Sequence, residues 1–168
     1  MRGAFPTVAP NAANRGGLLS VSSTKGGQDM PSILIAEDSY SLANLLEYVL
    51  KRSGFHVCIA RRGDKAATEA QSTPFDLIVL DQQMPGLTGI EVLRRIRSGG
   101  PNQHTAVYLC TAKLHELDLV GLQVELGIAG VFNKPFSPRE LVETLHSKSK
   151  ALMHQRRLAE QATLAGSA

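Results

Sequence analysis

The chain has 168 residues, 43% of them hydrophobic and 20% charged, which is enough for one ordinary domain with a real core and little else. No apolar run approaches the roughly 18 residues of a membrane span, and the lack of Trp with only 5% aromatics argues against stacking platforms for single-stranded nucleic acid. The formal net charge of +3 belongs to the tails: residues 1–31 hold three Lys+Arg against one acid, residues 148–168 four against one, and the middle is slightly acidic, so no basic stripe for nucleic acid falls on the part expected to fold.

Residues 1–30 read as a disordered leader, dominated by Gly, Ala, Ser, Asn and Pro without hydrophobic periodicity. It lacks a secretory apolar region. A tag, a start codon set too early or a flexible arm all fit it, with Met30 as the alternative start.

From residue 31 to 150 the pattern alternates. Ser32–Ala36 (SILIA) is a short apolar run, the mark of a strand buried on both faces. Leu42, Leu45, Leu46, Val49 and Leu50 then recur at helical spacing, and Gly54 closes that helix. Phe55–Ala60 is a second strand, followed by a short helix with an Ala66, Ala67, Ala70 face. Leu77–Leu80 is a third strand; Ile90, Leu93 and Ile96 mark a third helix closed by Gly99-Gly100. Thr105–Cys110 is a fourth strand, Lys113–Leu126 a fourth helix, and Gly130–Asn133 a fifth strand. The last helix opens on a capping box, Ser137-Pro-Arg-Glu140, with Pro138 in its first turn. Residues 151–168 are expected to extend that helix or to form a disordered tail.

Five strand–helix repeats with short connections need helical crossovers, hence an α/β fold: a doubly wound five-stranded parallel sheet with helices on both faces. Ligands of such sheets bind beyond the carboxyl ends of the strands, at the switch point. The first strand ends in Glu37-Asp38, the third in Asp81, the fourth in Thr111 and the fifth in Lys134. With strand order 2-1-3-4-5, three carboxylates converge there. Three nearby carboxylates repel one another unless a cation neutralises them, and an all-oxygen set favours a hard ion such as Mg²⁺. A carboxylate beside Mg²⁺, with an ammonium and a hydroxyl facing incoming oxyanions, makes a coherent phosphoryl-transfer site. Each residue also has a plainer use: Asp38 or Thr111 as a helix cap, Asp81 as an Asx turn, Lys134 as a surface lysine. Their coincidence at four strand ends favours function.

The pieces ILIAEDS, DLIVLDQQMPGLTG, VYLCTA and FNKPF, in this order and spacing over residues 32 to about 147, resemble the CheY-like receiver domain of bacterial two-component response regulators. The resemblance implies a flavodoxin-like fold and a phosphorylation-dependent signalling switch. Asp81 would accept a phosphoryl group from a histidine kinase or phosphotransfer protein. Glu37, Asp38, Asp81 and the Gln83 carbonyl would hold Mg²⁺, and Thr111 and Lys134 would sense the phosphate. It also implies a phosphoacceptor with at most slow self-dephosphorylation rather than an enzyme, and a cis Lys134-Pro135 peptide. The position three residues before the lysine, usually a switching Tyr or Phe, is Val131 here; Phe132 beside it points to the opposite face. Gln83 and Lys113 match positions that tune phosphate lifetime.

Two rivals come from other classes. A Mg²⁺-dependent aspartyl-phosphate phosphohydrolase needs a second acid two residues after its nucleophile, where this chain has Gln83. An unphosphorylated pseudo-receiver interaction module would not need the intact acidic set. A DNA-binding regulator enters only if the chain is part of a longer one.

The output is expected to be binding of a downstream protein through the face of helix 4, strand 5 and helix 5, with a homodimer left open and neither nucleic acid nor membrane as partner. On the fourth helix, Leu117, Val120 and Val124 share one side and Leu119, Leu122 and Leu126 the other, so one stripe is covered by the last helix or exposed as a docking or dimer surface. Cys58 and Cys110 read as buried reduced thiols, with no metal spacing, consistent with a cytoplasmic protein. His56 is expected to point to the edge of the second strand or to a helix, and His104, His115, His146 and His154 to lie on the surface.

Overall fold

A computed structural model describes residues 30–165. The leader expected over residues 1–30 lies outside the described residues except for Met30. Strands β1 (Ser32–Ala36), β2 (His56–Ala60), β3 (Leu77–Asp81), β4 (Ala106–Thr111) and β5 (Gly130–Asn133) alternate with helices α1 (Tyr40–Arg52), α2 (Gly63–Ser72), α3 (Gly89–Arg97), α4 (Leu119–Leu126) and α5 (Pro138–Ala165). All strand pairs are parallel and the order is β2-β1-β3-β4-β5, the expected flavodoxin-like arrangement.

The strands are short apolar runs because both faces of the sheet are covered. Alternate residues supply two separate cores. Leu34, Ile78, Leu80, Val107 and Leu109 pack with Ala66, Ala67 and Ala70 of α2, Val92, Leu93 and Ile96 of α3, and Leu122 and Leu126 of α4. Ile33, Ile35, Leu77, Val79, Tyr108 and Phe132 pack with Leu46 and Leu50 of α1 and Leu141 and Leu145 of α5. Val131 belongs to the first core and Phe132 to the second, so the ring of Phe132 does lie across the sheet from the position that is usually aromatic. It stacks there between Tyr108 and Phe136, at centroid distances of 5.6 and 5.7 Å.

Several local expectations are corrected. Of the apolar residues at helical spacing in α1, Leu45 is 45% exposed, and Ala43 joins Leu46 and Leu50 on the buried face. The fourth helix does not run unbroken from Lys113. A 3₁₀ turn at Leu114–Glu116 precedes α4, because the Asp118 side chain accepts from the Gly121 N–H and caps a new helix there. Leu117 therefore lies before α4 and packs half-buried against the first core, while Val120 and Val124 stand 76% and 83% exposed. The Ser137 side chain makes no capping bond; its carbonyl accepts from Leu141 N–H. A reciprocal capping box forms instead at α3, between Thr88 and Glu91. Cys110 is buried but Cys58 is only half-buried, and His146 is half-buried against the Phe55 ring. The other four histidines are exposed, His56 at the start of edge strand β2.

Candidate functional site

Parallel pairing aligns the ends of β1, β3, β4 and β5, so the residues at those ends share one rim of the sheet. Asp81 is the last residue of β3, opposite Cys110 of β4, and its neighbour Gln82 donates its N–H to the Cys110 carbonyl. Glu37 follows β1 directly, and its N–H donates to the Ala60 carbonyl of β2. Asp38 comes next, and Ser39 caps α1 by accepting from the Leu42 N–H. Asp38 is therefore not the cap, and its carboxylate is exposed.

The turn after Asp81 is set by close packing. Gly89 lies so near the Asp81 carbonyl that a Cβ would sit 2.6 Å from its oxygen, and Gly86 has φ +89°. The Gln82 side chain accepts from Ile90 N–H, tying the loop to the start of α3. Nothing in the sequence pattern marked Gln82 for this role. Ser39, which also donates its N–H to Glu37, carried the ordinary signal of a helix-opening serine that the sequence reading passed over.

Oxygens of Glu37, Asp38 and Asp81 lie within 4.8 Å of one another. Lys134 joins them from the far end of β5: its Nζ donates to Glu37 Oε2 at 2.6 Å and to Asp81 Oδ2 at 2.8 Å. The Thr111 carbonyl fixes that lysine by accepting its backbone N–H at 2.7 Å, and the following Lys134-Pro135 peptide is cis, as expected. Burial pushes the Glu37 carboxyl up, opposed by the Lys134 hydrogen bond and reinforced by the Asp81 charge. Burial pulls the Lys134 ammonium down, but its two carboxylate bonds outweigh this and the net shift is upward. The structure realises one of the plainer roles, the Asx turn, in which Asp81 Oδ1 accepts from the Gln83 N–H at 3.3 Å; Thr111 does not cap the fourth helix, which Asp118 caps, and its Oγ1 accepts instead from the Lys113 N–H at 2.9 Å. Thr111 is buried; Gln83 is exposed on the loop.

The donor set fits a hard divalent cation. It is all oxygen, comes from three carboxylates, and has one exposed member that leaves the site open toward solvent. No soft ligand takes part: Cys110 lies behind the site, its thiol pushed up to about 12 by burial.

The sequence model of the response regulator receiver domain matches residues 33–146. The chain belongs to the receiver domain family of two-component signalling. The receiver is 39% identical over 127 residues to the alkaline phosphatase synthesis transcriptional regulatory protein PhoP of Bacillus subtilis, covering 76% of this chain and 50% of that protein. It is 34% identical over 135 residues to the transcriptional regulatory protein BaeR of Escherichia coli, covering 80% and 54%. The chain spans about half the length of the curated relatives it matches. Among solved structures, the receiver is similar to the chemotaxis response regulator CheY4 of Vibrio cholerae, with a TM-score of 0.65 at 28% identity over 71% of this chain and 98% of that one. It is also similar to the response regulator TrrA of Thermotoga maritima in complex with Mg²⁺-BeF, with a TM-score of 0.61 at 29% identity over 71% and 99%. The acidic cluster thus resembles the phosphoacceptor and Mg²⁺ site of receiver domains. No helix among the described residues is long and apolar enough to cross a membrane.

Proposed function

We propose that the protein is a phosphorylation-dependent switch that accepts a phosphoryl group on Asp81 from a histidine kinase or a phosphotransfer protein. The observation that carries this reading is the Asp81 carboxylate at the strand end, grouped with Glu37 and Asp38 and hydrogen-bonded to Lys134. An Asp81 oxygen attacks the phosphorus of a phosphohistidine; the P–N bond breaks, and the imidazole nitrogen keeps the electron pair and takes a proton. Glu37, Asp38 and Asp81, with the Gln83 carbonyl, would hold Mg²⁺, which supplies charge neutralisation for the transferring group. The Lys134 ammonium shifts from its carboxylate partners to a phosphoryl oxygen. The Thr111 hydroxyl, whose proton makes no bond in the structure, donates to another.

The switch signals by altered protein binding at the face of α4, β5 and α5, where Val120 and Val124 are the most exposed apolar residues of α4. Its phosphodonor and its two free thiols support placing it in the cytoplasm. Intact mass after treatment with a small acyl-phosphate donor and Mg²⁺ tests the reading. Wild type gains one phosphoryl group and Asp81→Asn gains none. Equal uptake by both, or none by wild type, rejects Asp81 as the acceptor.

A further inference from the structure

Helix α4 is held at its two ends by unlike means. At its C-terminal end Leu122, Leu126 and the following Ile128 are buried, and the Ala129 N–H donates to the Val107 carbonyl. The half-buried Arg97 guanidinium of α3 reaches across to this end. Its Nε donates to the Leu126 carbonyl at 2.8 Å and one Nη to the Gly127 carbonyl at 3.3 Å. The other Nη donates to the carbonyls of Gln103 and Asn102, before β4. Arg94, one turn earlier on α3, pairs with Glu125. A planar fork whose three nitrogens make four hydrogen bonds to four carbonyls is a rigid clamp.

The N-terminal end has no such clamp; its packing against the first core is that of the half-buried Leu117. No side chain from residue 112 to 121 is buried. The Asp118 cap and the Lys113–Glu116 ion pair are internal to the segment. Among the described residues, the hydrogen bond that ties residues 113–118 back to β4 is the Lys113 N–H to Thr111 Oγ1.

We infer that Arg97 is a positioning residue for the output: it makes the C-terminal end of α4 a fulcrum, so that phosphorylation of Asp81 frees the N-terminal end alone. The inference rests on the phosphoacceptor reading of Asp81 and deepens it. A threonine χ1 has three staggered wells, and the Lys113 bond occupies one. Turning Oγ1 toward a phosphoryl group gives that bond up and releases the 3₁₀ turn that leads into α4. The clamp prevents the release from spreading, so the change is a swing of residues 113–119 rather than melting of the whole helix. This route needs no aromatic ring at Val131, whose side chain packs in the core on the α4 side of the sheet.

Hydrogen–deuterium exchange of the full chain, with and without an acyl-phosphate donor and Mg²⁺, reads both ends, with intact mass taken on the same samples. In phosphorylated wild type, amides of residues 113–119 should exchange about fivefold faster, the factor that one hydrogen bond of about 1 kcal/mol is worth, while residues 122–128 stay unchanged. In Arg97→Met the donor-dependent increase should extend to residues 122–128. A merely structural Arg97 would raise exchange there equally with and without donor, and that result overturns the inference. Wild type alone also decides it, even where Arg97→Met does not fold: faster exchange at 122–128, or none at 113–119 in fully phosphorylated protein, refutes the fulcrum. If no phosphoryl mass appears at all, the reading of Asp81 falls first and takes this one with it.

Discussion

Replacing Lys134 by Met tests the electrostatics of the site directly. The lysine side chain is 20% exposed, while its partners Glu37 and Asp81 are 3% and 7% exposed, so the substitution leaves two buried carboxylates facing each other. Removing one partner of a buried ion pair costs about 3–5 kcal/mol, and the water that reaches Lys134 puts this case at the low end, about 3 kcal/mol. With a urea slope of about 1.5 kcal/mol per molar, the unfolding midpoint should fall by about 2 M in the presence of EDTA. Magnesium should recover part of the loss, because the cation replaces the missing positive charge. So should adding Asp81→Asn to the same chain, because it removes the like-charged neighbour. Burial already raises the Glu37 carboxyl above its usual 4.5 against the pull of Lys134, and the variant removes that pull. A carboxyl raised in the native state binds its proton more tightly there than when unfolded. The variant's stability should therefore fall as pH rises from about 4.5, and acid should partly restore it. Urea melts followed by circular dichroism measure all of this. A midpoint shift in EDTA below about 0.5 M, or one of the same size with Mg²⁺ or with Asp81→Asn present, would refute the picture of two buried acids held by one ammonium.

Other consequences are more local. Thr88→Ala should destabilise by about 1 kcal/mol, the worth of a helix cap. The Thr88 backbone N–H and then its hydroxyl hold the Glu91 carboxyl below its usual value of 4.5; the variant loses only the hydroxyl's bond to that carboxylate, so this part of the gap is present above 4.5 and lost as pH falls through the lower folded value, while the bond from the Glu91 N–H to Thr88 Oγ1 does not titrate. The gap between wild type and variant should narrow in strong acid without closing, and a gap that widens there would contradict this. Val120→Asp with Val124→Asp should change stability by no more than about 0.5 kcal/mol and leave phosphoryl uptake intact while abolishing partner binding, and normal binding in a pull-down would end the docking role of that stripe. In mildly alkaline buffer, iodoacetamide should modify native Cys58 and spare Cys110, whose thiol is pushed up to about 12 by burial and stays protonated; equal labelling read by peptide mass would show that the strand ends open readily.

The fold was legible because each strand is a short apolar run bounded by a helix-period segment, and parallel order follows from short connections. What was not legible was competition between local signals. Lys113–Leu126 reads as one apolar helix, yet Asp118 can satisfy the N–H of Gly121, and that bond starts the helix five residues later than the periodicity suggests. Ser137 and Glu140 have the spacing of a capping box, and so do Thr88 and Glu91; only coordinates show that the second pair closes. Leu45 fits the apolar spacing of α1 but lies at the edge of the stripe, where the smaller Ala43 packs closer to the sheet. At the site, Glu37, Asp38, Asp81, Thr111 and Lys134 stood out because each ends an apolar run. The bonds that orient them did not: Gln82 to Ile90 and Lys113 to Thr111 link polar residues through backbone N–H groups, and the pattern of side chains carries no trace of either.

The charge at the rim explains why these residues belong together. Three carboxylates against one ammonium leave two negative charges uncompensated when all are ionised, and the single lysine is already shared between Glu37 and Asp81. An incoming phosphoryl group adds more negative oxygen to this cluster. Lys134 can turn to that oxygen only by giving up a buried carboxylate, which by itself would cost what the Lys134→Met variant loses. A divalent ion on the acids removes both uncompensated charges and with them this penalty, so the lysine is free to move when the phosphate arrives. On the proposed reading, the same imbalance that opposes a resting phosphate would tie phosphoryl uptake to the metal. On the same reading, Lys134, fixed at its backbone by the Thr111 carbonyl and followed by ring contacts into the second core, would be the residue whose change of partner reports the phosphate to the rest of the fold.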